Sequence, residues 1–244
     1  MAGRTERLDK IVSMSGYGSR KDVKKIIKRG EVTVNGRIVT DTGAPVDPTV
    51  DLICVFGEQL VFKEFVYIMM NKPKGVISST RDLRETTVID LLEGEYSHRK
   101  LFPVGRLDKD AEGLLLITDD GQLAHRLLTP RKKVEKVYYI EVKGCLGEED
   151  VKAFREGIFL GNYRALPAKL EILDSGEVSS ALVTVYEGKF HQIKRMVKAR
   201  GKEVIYLKRL SMGPLKLDES LNPGEWRELT DEEVNMLKSI ESDS

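Results

Sequence analysis

The sequence has few of the residues that build disulfide frameworks and zinc sites. Its 244 residues contain two cysteines, Cys54 and Cys145, and three histidines, His98, His125 and His191. The cysteines lie far apart, and no histidine has a second ligand-type residue three or four positions further along. We therefore expect neither a disulfide-stapled fold nor a metal site.

Long hydrophobic runs are also missing. The longest uncharged apolar stretches, such as residues 65–70 and 114–117, are far shorter than the roughly 18–20 residues that span a bilayer. Charges at Arg4, Glu6 and Arg7 stand where a signal peptide would have its apolar segment. These features predict a cytoplasmic protein with no membrane association.

The chain has almost no net charge, but its charges are segregated. There are 40 basic and 39 acidic residues, and 41% of the residues are hydrophobic, which excludes wholesale disorder. Nine bases against three acids give residues 4–29 a charge of +6, and eight bases against two acids give residues 186–210 the same charge. Two basic patches predict a polyanion held at two places. Each patch taken alone could instead be an ordinary solvated helix face that binds no polyanion.

The first sixty residues have the pattern of two helices followed by a hairpin. Apolar residues at helical spacing predict both helices, the second capped by Ser19 and ended by Gly30. The dipeptide Asn35-Gly36, between two alternating runs, predicts a type I′ hairpin turn. The second helix is expected to project a group of cations into solvent: Arg20, Lys21, Lys24, Lys25 and Lys28.

This order resembles the small S-four-type RNA-binding domain over residues 4–62. The resemblance is carried by G-S-R at the start of the basic helix and by K-R-G-E-V-x-V-N-G after it. It implies that the helix cations bind the phosphates of folded RNA without reading bases. Such modules are joined to several unrelated enzymes, so the resemblance indicates RNA but not a reaction. We place the domains at residues 1–62 and 63–244.

The rest of the chain mixes strands and helices irregularly. This pattern predicts an α+β fold in which a larger domain with a mixed or antiparallel sheet follows the helix-helix-hairpin domain. A capping box, Thr230 with Glu233, announces the last helix. The predicted strands are residues 65–70, 113–118, 137–143, 169–173, 181–186 and 204–209. The predicted helices are residues 88–92, 122–128, 148–155, 190–200 and 232–240.

The most concentrated chemical signal lies at residues 105–121. The segment G-R-L-D, with three further charges, immediately precedes a wholly apolar strand, which places a carboxylate at the rim of a buried sheet. Residue types alone also allow a simpler interpretation, a turn stabilised by Asp108 or Asp110. The acids of D-D-G at residues 119–121 are expected to form a turn into the next helix rather than a divalent-ion site.

Four segments in order resemble the motifs of pseudouridine synthases. They are N-K-P-K-G at residues 71–75, G-R-L-D with its apolar strand and T-D-D-G, E-K-V-Y at 135–138, and E-G-K-F-H-Q-I-K-R-M at 187–196. Together with the amino-terminal domain, the resemblance extends over nearly the whole chain. The nearest branch is the one named after ribosomal small-subunit pseudouridine synthase A.

The resemblance implies roles for three residues in catalysis. Asp108 is the catalytic aspartate, Lys194 its counter-ion where many relatives have arginine, and Tyr138 the aromatic that stacks on a flipped uracil. A core aromatic on a strand is the alternative for Tyr138. Ala111 departs from the family, which commonly has Thr or Ser there, so a hydroxyl that could hold the loop is lost. The implied RNA-binding residues are Arg106, Lys72, Lys136, His191, Gln192 and Arg195.

The implied reaction is the isomerisation of a uridine in ribosomal RNA. The resemblance favours the RNA of the small subunit. A large-subunit target is the runner-up, and a non-catalytic RNA-binding ribosome-assembly factor is the competing class. The reaction needs no cofactor and no metal. The expected partner is ribosomal RNA or an assembling subunit, and monomer is the default state. Whether the carboxylate acts as a nucleophile or removes a proton from C2′ is left open.

Overall fold

The computed structural model describes residues 5–240, which form two compact units. One unit consists of residues 5–66 together with Gly94–Lys100. The other consists of Tyr67–Glu93 and residues 101–240. The chain therefore crosses between the units three times, and the first unit includes a mid-chain segment that a single boundary after residue 62 leaves out.

The first unit contains two helices and six short strands. Its helices are α1 (Leu8–Met14) and α2 (Arg20–Lys28). Strands β1 (Glu6–Arg7) and β4 (Pro45–Val46) pair with each other. A four-stranded sheet has the order β3-β2-β5-β6 and consists of β2 (Val32–Val34), β3 (Arg37–Ile38), β5 (Ile53–Val55) and β6 (Glu58–Gln59).

Local sequence signals explain how these elements begin and end. The Ser19 hydroxyl accepts a hydrogen bond from the backbone N–H of Asp22 and caps α2, which confirms the predicted cap. Gly30 follows α2 at φ +76°, a conformation that favours glycine. Asn35 and Gly36 have φ of 53° and 76°, so the predicted hairpin turn is confirmed. The apolar side of both helices is buried, with Leu8, Ile11, Val23 and Ile27 in the core.

The second unit is built on one sheet of nine strands within the described residues. The path of the sheet is β11-β12-β10-β13-β9-β7-β15, and β8 and β14 pair with β9 and β13 off this path. All pairings are antiparallel except that of β13 with β9. The strands are β7 (Tyr67–Lys72), β8 (Phe102–Pro103), β9 (Glu112–Thr118), β10 (Lys136–Lys143), β11 (Lys169–Asp174), β12 (Val178–Val185), β13 (Glu203–Met212), β14 (Leu215–Lys216) and β15 (Trp226–Glu228). The predicted α+β class with a mixed sheet is confirmed.

Four helices accompany this sheet: α3 (Gly121–Leu128), α4 (Glu148–Glu156), α5 (Gln192–Ala199) and α6 (Asp231–Lys238). Asp120 caps α3 by accepting from the N–H of Leu123, which confirms a turn into this helix. The capping box of Thr230 and Glu233 at α6 is also confirmed. The predicted helix at residues 88–92 is wrong, since only a 3-10 turn at Asp90–Leu92 forms there. No helix in residues 5–240 is both long and apolar enough to cross a membrane.

The parallel pair β9 and β13 sets the position of the chain before β9. Gly113 stands opposite Arg209, with φ of +102°. A Cβ atom at Gly113 would lie 2.2 Å from the backbone oxygen of Arg209. Glycine is therefore required for the two backbones to approach. This approach places the loop before β9 at the centre of the sheet, next to β13 and α5.

Candidate active site

A cleft of about 680 Å³ lies in the second unit over the loop that precedes β9. Its walls come from residues 77–79, from the loop at 105–109, from residues 127–136 and from the segment 186–191 before α5. A smaller cavity of about 70 Å³ continues from it and shares the walls at Asp108 and His191. Three of the four motif segments identified in the sequence thus line these two cavities.

Asp108 is the carboxylate at the junction of these two cavities. Its side chain is 23% exposed, and its Oδ2 lies 3.0 Å from Nζ of Lys194 on α5. Its Oδ1 lies 3.6 Å from Nε2 of His191. The structure therefore brings together the aspartate and the lysine that the sequence assigned to catalysis, and a fixed cation at this distance stabilises the negative charge of the carboxylate.

Lys194 also binds a second carboxylate, which the sequence analysis did not assign to the site. Its Nζ donates to Oδ1 of Asp110 at 2.5 Å. Burial lowers the pKa of Lys194, but hydrogen bonds and charges from Asp110 and Asp108 outweigh burial, so its pKa lies above 10.5. The hydrogen bond from Lys194 is the main reason why the pKa of Asp110 lies below its ordinary value. The sequence did give one indication that Asp110 belongs to the site, since it lies two residues from Asp108.

The loop that carries Asp108 is held by hydrogen bonds from the segment after β7. Lys72 Nζ donates to the carbonyl of Ala111 at 2.9 Å, and the N–H of Gly75 donates to the carbonyl of Lys109 at 2.7 Å. The hydroxyl of Ser78 donates to the carbonyl of Leu107 and accepts from its N–H. These bonds hold a loop in which Ala111 provides no hydroxyl.

Lys72 is completely buried, so its predicted contact with RNA is wrong. It lies at the end of β7, which is buried along its whole length, and a second hydrogen bond ties its Nζ to the carbonyl of Pro73. Burial lowers the pKa of Lys72 to about 8, although the charges of Asp108, Asp110 and Glu112 partly oppose this. In the structure this lysine therefore supports the loop that carries Asp108.

Tyr138 lies on β10 and lines the smaller cavity with Asp108. Its side chain is mostly buried. The apolar side chains of Val185, Ile193 and Leu207 line the same cavity. An aromatic ring and aliphatic side chains beside a carboxylate form the kind of pocket that holds an unstacked base.

Two more cations are buried near this pocket. Lys136 lines the larger cleft, but its Nζ donates to the carbonyl of Val134 and little of its side chain is exposed. Burial, and then the charge of Arg209, lowers the pKa of Lys136 to about 8. Arg209 is buried, and its Nε donates to the carbonyl of Leu114 at 2.7 Å. It belongs to the sheet rather than to the second basic surface patch in which the sequence analysis counted it.

Two predicted RNA-binding residues on α5 make contacts within the protein. Gln192 is buried, where its amide donates to Glu187 and accepts from the N–H of Lys189. These bonds occupy the side chain, so the structure assigns it to holding the loop before α5. Arg195 donates to the carbonyl of Leu160, and its guanidinium lies over the ring of Tyr163. Arg106, in contrast, is exposed and lines both cavities.

The residues before α5 show a feature that the sequence analysis missed. Helix α5 begins at Gln192 rather than at Phe190, because His191 adopts a left-handed conformation at φ +49°. The rings of Phe190 and His191 are stacked, with centroids 3.8 Å apart and planes 17° from parallel. Both rings line the larger cleft. An aromatic inside a basic motif was the only signal for Phe190 in the sequence.

The five cations predicted on the second helix lie in the first unit and are all exposed. They are Arg20, Lys21, Lys24, Lys25 and Lys28. The buried carboxylate of Asp9 accepts hydrogen bonds from Arg20 and from both ends of the Arg7 guanidinium. This carboxylate fixes one end of a cationic surface. Among residues 5–240, no group of three or more His, Cys, Asp and Glu side chains is arranged to hold a metal ion.

Family models match both parts of the chain. The model described as RNA pseudouridylate synthase matches residues 66–199, and the model of the S4 domain matches residues 6–52. A crystal structure titled as that of a pseudouridylate synthase is similar at a TM-score of 0.67 and 37% identity. The match covers 95% of this chain and 99% of that one.

Curated relatives match over nearly their whole length. The uncharacterized RNA pseudouridine synthase YtzG of Bacillus subtilis is 51% identical over 234 residues, 95% of this chain and 98% of the relative. Ribosomal small subunit pseudouridine synthase A of Vibrio cholerae is 41% identical, with 93% and 97% covered. Ribosomal large subunit pseudouridine synthase B of Bacillus subtilis is 37% identical, with 96% of each chain covered.

Proposed function

The chain belongs to the RNA pseudouridylate synthase family, and from this premise we propose that it converts a uridine of small-subunit ribosomal RNA to pseudouridine. The observation that carries the proposal is the pairing of Asp108 with Lys194 at the junction of two cavities, one of them lined by Tyr138. The similarity to a small-subunit enzyme of Vibrio cholerae supports the choice of substrate.

The proposed reaction is an isomerisation in which atoms and electrons balance within the substrate. The bond from C1′ of the ribose to N1 of uracil breaks, the base turns, and C5 bonds to C1′. The proton lost from C5 is balanced by the proton gained at N1. The protein must therefore extrude the nucleotide, hold the free base, and move one proton, without a cofactor or a metal.

Asp108 provides the reactive group in this proposal. A carboxylate can attack the substrate as a nucleophile or remove a proton from C2′, and both roles need the ionised form. Lys194 Nζ, 3.0 Å from Asp108 Oδ2, stabilises that form, and the pKa of Lys194, raised by both aspartates, keeps the lysine charged.

Tyr138 completes the proposed pocket for the base. Its ring stands among aliphatic side chains in the same cavity as Asp108. Stacking on the free uracil would hold the base while it turns. Its hydroxyl is the proposed relay for the proton that leaves C5.

We propose that the S4 domain binds folded RNA. Its exposed cations on α2 lie three or four residues apart, so they form one surface suited to phosphates. The proposed division is an RNA-binding domain at residues 1–62 and a catalytic domain at residues 63–244. We propose further that the protein acts as a cytoplasmic monomer on ribosomal RNA or an assembling subunit.

A large-subunit target is the second candidate. The relative from Bacillus subtilis that is named for the large subunit is 37% identical over almost the full chain. Sites mapped on both ribosomal RNAs of a deletion strain distinguish the two candidates. A pseudouridine that disappears from the small-subunit RNA supports the first.

Replacement of Asp108 tests the chemistry. Purified wild-type protein and the variant Asp108→Asn are incubated with in vitro transcribed small- and large-subunit rRNA, and pseudouridine is mapped by carbodiimide treatment and primer extension. Asp174→Asn, an exposed aspartate at the end of β11, is the matched control. We expect the modification with wild type and control and none with Asp108→Asn. Equal modification by all three proteins would eliminate the assignment.

A further inference from the structure

We propose that Phe190, stacked on His191, forms a binding site for a second nucleobase of the RNA, next to the uridine that reacts. This inference deepens the proposed function and rests on it. It assigns to the larger cleft the task of holding a nucleotide that flanks the target.

Phe190 is an exposed aromatic ring in a position where nothing in the fold requires one. Its side chain is 68% exposed, although the ring of His191 covers one face. The opposite face is therefore open to solvent. Phe190 lies outside α5, whose buried apolar residues are Ile193, Met196 and Val197. Burial in the core does not explain the ring.

The ring of His191, which lies between Phe190 and Asp108, separates this site from the pocket for the uridine. His191 Nε2 lies 3.6 Å from Asp108 Oδ1, and the His191 ring is stacked at 3.8 Å on Phe190. A base on the open face of Phe190 is thus separated from the carboxylate by two aromatic rings. Such a base cannot be the one that reacts at Asp108, so it belongs to another nucleotide.

The surroundings of Phe190 favour RNA as the occupant. Four basic residues lie in the walls of the larger cleft: Arg106 and Lys189 are exposed, whereas Lys136 is buried and Lys109 pairs with Glu85 at 2.7 Å. The acids in its walls are Asp108 and Glu187. Glu187 is already occupied by hydrogen bonds from Gln192 and from the N–H of Leu166. Exposed aromatic rings within a basic cleft bind single-stranded nucleic acid by stacking on bases.

The left-handed conformation of His191 orients the stack. At φ +49° the residue ends the loop and begins α5 in a conformation that non-glycine residues seldom adopt. The conformation places its ring between Asp108 and Phe190. Phe190 and His191 together form a wall on which two nucleotides of an unstacked strand can be held apart.

Fluorescence of a base analogue tests the stacking directly. The first probe is a single-stranded RNA of uridines with one 2-aminopurine, which loses fluorescence when it stacks. The second is a short RNA containing the mapped uridine with 2-aminopurine beside it. Each is titrated with wild type, Phe190→Ala, Phe190→Leu and Phe190→Tyr. The control is Phe159→Ala, a phenylalanine of similar exposure (64%) on another loop.

We expect quenching by wild type, Phe190→Tyr and the control, and its loss in Phe190→Ala and Phe190→Leu. The affinity should fall about 5- to 150-fold in those two variants, because one stacked base contributes about 1–3 kcal/mol. Leucine keeps an apolar side chain without a ring, so it separates stacking from simple apolar contact. All variants should melt at the wild-type temperature, since the side chain is exposed.

The outcomes separate this inference from the proposed function. Equal quenching and equal affinity in wild type and Phe190→Ala would overturn the stacking site, whatever the enzyme does to uridine. If wild type forms no pseudouridine in any ribosomal RNA, yet quenching still depends on Phe190, the proposed reaction fails and the base site stands. Quenching retained in Phe190→Leu but lost in Phe190→Ala also contradicts stacking.

Discussion

Nζ of Lys194 lies 3.0 Å from Oδ2 of Asp108 and 2.5 Å from Oδ1 of Asp110, so one side chain of α5 pairs with both the proposed catalytic carboxylate and its neighbour. The two residues are 86 positions apart in sequence, and the parallel pairing of β9 and β13 brings their elements together. Asp110 takes another N–H of the same ammonium. The lysine thus bridges two carboxylates, and its charge can be tested separately from its geometry.

The first prediction concerns the charge of Lys194. Lys194→Gln should lower the single-turnover rate constant by roughly 10²–10³-fold, because one preorganised charged donor is removed from the reacting group. Lys194→Arg should retain much more activity, since it keeps the charge. Single-turnover formation of pseudouridine is the measurement. Lys198→Gln, an exposed lysine one turn further along α5, is the control. Equal loss in the arginine and glutamine variants would contradict a role for the charge.

The second prediction concerns the pKa of Lys194. Its pKa is raised, and the hydrogen bond to Asp110 is the largest of the causes that raise it. Asp110→Asn should therefore move the pKa of Lys194 downwards, towards 10.5. A raised pKa in the folded state means that the protonated lysine adds to the free energy of unfolding. This contribution of Lys194 is fully present below pH 10.5 and is lost as pH rises through the raised pKa. In the variant the lysine should contribute less stability, and the loss should be complete at a lower pH.

Side-chain NMR titration of Lys194 Cε measures this shift without RNA, and Lys194→Arg identifies the signal. Asp174→Asn should leave the titration unchanged. Because Lys194 stays protonated at neutral pH, Asp110→Asn should keep activity within about tenfold of wild type. An unchanged titration in Asp110→Asn would show that the short contact does not hold in solution.

The third prediction concerns stability and pH at Lys136. Burial lowers its pKa to about 8, whereas an unfolded lysine titrates near 10.5. Between these values the unfolded chain binds one more proton than the folded protein, so the lysine makes stability rise with pH, by up to about 1.4 kcal/mol per pH unit. In Lys136→Met this rise is absent. The stability advantage of the variant over wild type should thus be largest at pH 7 and shrink towards pH 10.

Urea unfolding at several pH values measures this difference. Lys143→Met is the control, because Lys143 lies on the same strand β10 but is exposed. A constant difference between wild type and Lys136→Met across pH 7–10 would mean that Lys136 is not buried as described. Lys72→Met should show the same pH trend, since burial lowers its pKa to about 8 as well.

Much of the fold could be predicted from local patterns. The hairpin at Asn35-Gly36 and the caps at Ser19 and Thr230 depend on neighbouring residues, and they formed as the sequence indicates. Strand β15 could not be predicted, because its three residues pair with β7, more than 150 positions earlier in the chain. The mid-chain segment Gly94–Lys100 joined the first unit for the same reason: tertiary contacts decide its place.

The site could be predicted in part. Motif resemblance selected Asp108, Tyr138 and Lys194, and the structure brings all three to the same cavity. It could not show which motif cations are buried, since a lysine at the end of a strand looks the same whether it faces solvent or the core. Lys72 is the clear example, because its Nζ donates to the carbonyl of Ala111 in the loop before β9 and to that of the adjacent Pro73.

The fourth prediction concerns the cationic surface of α2. Replacing Lys24, Lys25 and Lys28 together by glutamine should weaken RNA binding and reduce the slope of log affinity against log salt by up to about 2–3, since three phosphate contacts are lost. Filter binding at several salt concentrations is the measurement. The thermal midpoint should change little, because all three side chains are exposed. A collapse of thermal stability would refute their surface position.

A matched triple variant controls for net charge. Lys143, Lys152 and Lys169 lie in the second unit, and replacing them by glutamine removes the same three charges. We expect its RNA affinity and salt slope to stay close to those of wild type. A similar loss in both triple variants would instead indicate that only the total charge matters.

The fifth prediction concerns Gly113, where the backbones of β9 and β13 approach. Gly113→Ala should lower the free energy of unfolding by at least about 2 kcal/mol, because the residue has φ +102° and the new Cβ would lie 2.2 Å from the Arg209 oxygen. Gly121→Ala is the control. It lies at the start of α3 with no atom near its Cβ, so it should change stability by less than about 1 kcal/mol.

Activity should also fall in Gly113→Ala. The new Cβ would push β9 and β13 apart, and these two strands position the loop that carries Asp108. The structure ties that loop to the sheet at Ala111, two residues before Gly113. Pseudouridine formation measured well below the melting temperature of the variant isolates this effect from unfolding. If Gly113→Ala is as stable as Gly121→Ala, the parallel pairing of β9 with β13 is wrong, and with it the position assigned to Asp108 beside Lys194.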